Sequence, residues 1–165
     1  MTIDRPRARR CAVPAAEPLI GGSDFDYADS FEIRLRPTDS RSPEQAFRTA
    51  LDRAPVIRML VPPVHRYVLG MRLGPLSSSE HLLGWKIVVS TAEVVHLEAV
   101  SPVAHGHIVG RNTGETASFT TYLFYTRPAV ARTIWTLVSP LHRAVAPYLL
   151  QRGNDESALD GIGSP

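Results

Sequence analysis

From Pro128 to about Arg152 the apolar residues Val130, Ile134, Leu137, Leu141, Val145 and Leu149 recur three or four positions apart, the period of a long helix with one face to bury. No strand pattern follows this helix, so any sheet in the chain must be complete before it and must lie beneath its apolar stripe. Pro140 and Pro147 fall inside the helix, and a kink or a restart is expected at Ser139-Pro140, where Ser139 is suited to act as a new cap.

The segments ahead of the helix supply that sheet. Phe31, Ile33 and Leu35 alternate with Glu32, Arg34 and Arg36 up to Pro37, the period-two pattern of a half-buried strand. Ser42-Pro43-Glu44-Gln45 then starts a helix running to about Arg53: Ser42 caps the orphan amides, Pro43 suits the first helical position and Gln45 completes a capping box. A second helical stretch begins at Pro55 with Val56, Ile57, Leu60 and Val61, meets Pro62-Pro63, where it should kink or break, and resumes through Val64, Tyr67 and Val68 towards Gly70. Beyond the Gly74 to His81 loop, the runs 85–90, 93–101, 105–112 and 116–127 read as strands of an antiparallel meander, with Thr91-Ala92 short enough for a hairpin. The order predicts an α+β domain over residues 28–152 with its helices on one face of the sheet. Residues 1–27 and 153–165 lack either periodicity and read as flexible tails.

Composition removes several function classes. No run approaches the roughly 20 apolar residues of a spanning helix, so integral membrane association is not expected. Arg5, Arg7, Arg9 and Arg10 precede Pro14 and Pro18, which is not the pattern of a secretory leader. The one cysteine, Cys11, has no internal partner, and a cytoplasmic location is expected. Of 18 basic residues only Lys86 is lysine, and the arginines are scattered over the sequence; that favours solvated surface over a nucleic-acid footprint.

The order of a first strand, two short helices, a meander and a long closing helix resembles the helix-grip fold of the START and pollen-allergen-like (SRPBCC) superfamily. Tyr27-Ala28-Asp29-Ser30-Phe31, His65-Arg66-Tyr67-Val68-Leu69-Gly70, Leu123-Phe124-Tyr125 before Arg127-Pro128, and Pro140-Leu141-His142-Arg143 further resemble an uncharacterised bacterial family, domain of unknown function 2867, over roughly residues 27–152. The resemblance implies a curved sheet wrapped round the C-terminal helix, enclosing a cavity that in relatives takes up lipids, polyketides or other apolar molecules. It implies no reaction. The usual fold has six strands in its meander, whereas four are legible here.

Histidines are the obvious candidates for chemistry. His105-Gly106-His107 sets two imidazoles on one face of a strand, and His96 with Glu98 shares a face of the preceding one, so a metal cluster would form if the register brought them opposite. The same face is equally the convex solvent side, with Val95, Leu97 and Ala99 turned inward, and no metal site is assigned. His65 and His142 sit in similar contexts, Pro-Val-His-Arg and Pro-Leu-His-Arg, and are suited either to proton transfer in one cavity or to bonding a neighbouring carbonyl. No nucleophile or phosphate-loop motif is present, and the Ser77-Ser78-Ser79-Glu80-His81 run is adjacency without triad geometry. Trp85 and Ile87 on one strand, Leu97 and Tyr125 on others, and Trp135 on the closing helix are the expected walls of a pocket; a solid core would use the same residues. The expected ligand-binding set is therefore Trp85, Ile87, Leu97, Tyr125, Trp135, His65 and His142, with no catalytic residue and no cofactor. Three readings stay open: a binder of a small apolar or amphipathic molecule, a cyclase, dehydratase or aromatase in which His65, His142 or Tyr125 moves protons, and a protein-interaction module.

Overall fold

The computed structural model describes residues 6–154; residues 1–5 and 155–165 of the expected tails lie outside them, and residues 153 and 154, expected to open the C-terminal tail, are the last of the long helix. Seven strands, β1 (Arg9–Cys11), β2 (Tyr27–Arg34), β3 (His81–Leu82), β4 (Trp85–Ser90), β5 (Val94–Val100), β6 (Ala104–Asn112) and β7 (Thr116–Tyr125), form one antiparallel sheet in the order β1-β2-β7-β6-β5-β4-β3. Among the described residues three α-helices accompany it: α1 (Pro43–Asp52), α2 (Pro55–Pro63) and α3 (Pro128–Asn154). The sheet curves round α3, which packs on β2, β7 and α1, so the expected α+β helix grip is what the chain forms.

Local chemistry accounts for the elements that position the interior. Ser42 Oγ accepts from the Gln45 amide and the Gln45 side chain accepts from the Ser42 amide, closing the capping box at the start of α1. At Pro62-Pro63 the chain loses two helical amides, and α2 passes into a single π turn over Val64–Val68, with the Leu69 amide bonding the Val64 carbonyl five residues back. The expected break is thus a change of winding. Leu83 and Gly84, both at positive φ (51° and 83°), make the two-residue turn joining β3 to β4 and set Trp85 at the first position of β4, facing inward.

Expectations for two parts of the chain, α3 and the N-terminal segment, are corrected. The buried face of α3 carries Ala131, Trp135, Val138, Ala146 and Leu149, whereas Val130 and Leu137 are exposed. Of the six aliphatics read as the stripe, Leu149 is buried, Ile134, Leu141 and Val145 are half-buried, and Val130 and Leu137 face solvent, so the closest contact shifts towards Trp135 and the small residues beside it. The helix runs through Pro140 without restarting at Ser139, which is itself buried. At its end Gly153 lies against α1: a Cβ there would stand 2.7 Å from the Ala46 carbonyl oxygen. Gly→Ala ordinarily stabilises a helix by about 1 kcal/mol. Here the neighbour is backbone, so Gly153→Ala is expected to cost about 1–3 kcal/mol, read from the urea midpoint.

The N-terminal segment is the second correction. Residues 9–11, taken from composition as part of a tail, pair with β2 as the edge strand of the sheet. The chain then crosses the convex face: Glu17, 2% exposed, takes a 2.6 Å ion pair from Arg111 on β6, and the Phe25 ring packs 5.2 Å from that of Tyr122 on β7. Tyr122 is fully buried under this strap, which pushes its phenol pKa up to about 12, Glu17 adding to the effect of burial.

Candidate functional site: an apolar cavity with a histidine pair

Strand pairing determines what faces α3. On the concave side Asp29 of β2 lies opposite Thr121 of β7, which lies opposite Ile108 of β6; the next row joins Tyr27, Leu123 and Gly106. Gly106 carries no side chain because the Trp85 ring occupies the space, 2.7 Å from where a Cβ would be. Between these rows, α3 and the π turn there is a cavity of about 60 Å³, lined mainly by Val61, Leu69, Phe119, Leu123, Val138 and Leu149 with Trp85 and Trp135.

Four polar groups interrupt the apolar lining: His65, Thr121, the Trp135 indole and His142. Their hydrogen bonds fix their states. The Trp85 indole N–H donates to His65 Nδ1 at 3.0 Å, so His65 is neutral with its proton on Nε2. Burial first, and the nearby His142 second, pull the His65 pKa down to about 4. His142 Nε2 lies 3.1 Å from Asp29 Oδ1, and the Tyr27 hydroxyl donates to Asp29 Oδ2 at 2.7 Å. Asp29 has no exposed surface. Burial drives its pKa upward, but the bonds from His142 and Tyr27 and the charge of Arg10 together outweigh that and hold it below the ordinary carboxylate value. An ionised Asp29 only accepts, so His142 Nε2–H is the donor of this bond. Among the described residues three buried side-chain atoms have no hydrogen-bond partner: Thr121 Oγ1 and Trp135 Nε1, both on residues of the cavity lining, and the Tyr122 hydroxyl under the strap on the other face.

The arrangement thus offers three donors, His65 Nε2–H, Trp135 Nε1–H and the Thr121 hydroxyl, with the imidazole of His142 beside them, around an apolar space. Chemically it is able to hydrogen-bond an oxygen-bearing molecule and to exchange a proton with it.

Of the residues singled out in the sequence, Trp85, Trp135, His65 and His142 line the cavity, and the two histidines meet there from different elements. Leu97 is packed solid on β5, outside the lining, and Ile87 and Tyr125 are half-buried against the core, also outside it. Asp29, Tyr27 and Thr121 were not anticipated. Asp29 had a signal: it shares the parity of Phe31, Ile33 and Leu35, so the alternation of β2 turns a carboxylate toward the core.

A second cluster lies on the opposite face. Glu98 of β5 pairs with His107 of β6, and on that face His105 Nε2 is 2.6 Å from Glu98 Oε1 while His96 Nε2 is 3.0 Å from His107 Nδ1. His96 and His107 are buried, and their pKa values are lowered, chiefly by burial, His107 to about 4. Neither the known protein-family models nor the curated proteins contain a match to this chain.

Proposed function

We propose that the cavity beneath α3 holds a small amphipathic molecule whose polar end carries a carbonyl or hydroxyl oxygen. The observation that carries this reading is the pair of buried, unpartnered groups, Thr121 Oγ1 and Trp135 Nε1, on the wall that also bears His65 and His142. An unpaired buried polar group costs about 1–3 kcal/mol, and a bound oxygen would recover it. The resemblance to helix-grip proteins points the same way. A cavity of about 60 Å³ is smaller than the roughly 150 Å³ that admits benzene, so a lipid- or polyketide-sized ligand requires the wall to open. The segment able to move is α2 with its π turn, which rests on the core through Val61, Val64 and Leu69 and exposes Met59 and Tyr67 on its outer side.

The Asp29–His142 pair supports a second reading, an enzyme of the cyclase or dehydratase type. A carboxylate holding an imidazole by Nε2 leaves Nδ1 as a base, and His65 Nε2–H is placed to polarise a substrate oxygen.

Native mass spectrometry of protein purified from its own host, with identification of any compound released on denaturation, tests the binding reading. A stoichiometric amphipathic compound supports it. No compound, together with no thermal shift from a panel of lipids and aromatics, overturns it in favour of an interaction module. Thr121→Val gives a separate check: stability is expected to stay level or rise by about 1 kcal/mol, because an unpaired hydroxyl is removed, while the ligand-induced thermal shift falls. One variant tells the readings apart: an Asp29→Asn protein that keeps the ligand but loses turnover indicates the enzyme.

A further inference from the structure

The convex-face histidine cluster is independent of the cavity, since it lies on the other side of β5 and β6. Each of Glu98, His105 and His107 offers one ligand atom, and the three atoms lie within 4.8 Å of one another. A cation of the zinc class binds nitrogen and carboxylate oxygen at about 2.0–2.2 Å, which places its ligands about 3.3 Å apart. The gap closes by rotation of the His105 and Glu98 side chains, which are 38% and 32% exposed and held by the hydrogen bond between them.

An isolated Glu98–His105 contact would be an ordinary surface pair. Two further features set this one apart. His105 and His107 share one face of β6, His107 directly across from Glu98 and His105 two residues along and hydrogen-bonded to it, and the two rings lie 4.4 Å apart, so both imidazoles and the carboxylate crowd one patch of that face. His107 is also held from behind: its Nδ1 is bonded to His96 Nε2 and its ring meets the edge of Phe124 at 5.5 Å, leaving Nε2 as its free nitrogen. A ligand histidine whose second nitrogen is engaged by a neighbour is how protein metal sites fix ring orientation.

We propose that Glu98, His105 and His107 form a binding site for a divalent transition-metal cation of the Zn²⁺ type, with His96 as the positioning residue behind His107. The cation replaces the Glu98–His105 hydrogen bond as the link between β5 and β6. The exposed side of the site leaves a coordination position for water or for a donor from another molecule, the pattern of an exchangeable site and not of a closed structural one.

The test is titration of the metal-stripped full chain, carrying no added histidines, with Co²⁺ and Zn²⁺. The readouts are calorimetry and the visible absorption of Co²⁺. One equivalent is expected to bind and to raise the thermal midpoint. His105→Ala and Glu98→Gln, both at partly exposed positions, are each expected to keep the metal-free thermal midpoint and weaken binding at least tenfold. His96→Ala is expected to weaken it by about 10- to 100-fold, with an altered Co²⁺ spectrum. Absence of a one-equivalent site in the wild type, or binding that His105→Ala and Glu98→Gln leave unchanged, overturns the proposal.

Discussion

Trp85→Ala is expected to lower the unfolding free energy by about 3–5 kcal/mol, a large part of the 5–15 kcal/mol that holds an ordinary domain together. The side chain is 3% exposed and does three things at once. It fills the space left by Gly106, it forms one wall of the cavity beneath α3, and its indole N–H is the partner of His65 Nδ1. Truncation therefore combines lost burial, a void that the surrounding sheet is unable to collapse, and an imidazole left without its bond. Trp85→Phe separates these effects. It retains most of the ring and removes the N–H, so it is expected to cost about 1–3 kcal/mol. Urea unfolding of both variants measures the difference. A loss near 1 kcal/mol for Trp85→Ala would mean that the wall is already pliable, and the cavity would then be an opening of the fold and not a gap in a packed core.

What the sequence announced and what it concealed divide along the range of the interactions. The capping box of α1, the four long strands β4 to β7 and the existence of α3 follow from patterns within a few residues, and each is formed as expected. The strap over the convex face is held by Glu17 and Arg111, which are far apart in sequence, and its alanine-, proline- and glycine-rich composition gives no local pattern. β3 is two residues long, too short for alternation to register. The meeting of His65 and His142 depends on where a π turn and a long helix dock, and the echo of their Pro-x-His-Arg contexts hinted at it without specifying it. Their partners were harder to foresee. That Trp85 donates to one and Asp29 accepts from the other is settled by sheet register and rotamer, both products of the whole fold.

The neutral state of His65 gives the second large effect: the protein is expected to lose stability as pH falls from about 6.5 to about 4. Its folded pKa, about 4, lies below the ordinary value of 6.5. Between those values the unfolded chain binds a proton that the folded one does not, so stability rises with pH across that window. The contribution is complete above about 6.5 and is lost by about pH 4, as much as about 3 kcal/mol for this residue. The groups packed on His65 do not offset this: Trp85 offers only a donor, and His142 opposes a second positive charge, its carboxylate partner Asp29 being engaged on the far side of the pair. Asp29 acts in a lower window, because a depressed carboxylate loses its contribution only as pH falls below about 4. His96 and His107 also lie below their usual values and add to the wild-type slope, so the share of His65 is read by difference. In His65→Gln the amide oxygen still accepts from Trp85, and nothing titrates. Urea midpoints for the two proteins at pH 7.5, 6, 5 and 4.5 should diverge, the wild type falling faster. Parallel curves would show that His65 takes up its proton without penalty in the folded state, and the neutral donor facing the cavity, on which the proton-transfer reading depends, would be lost with it.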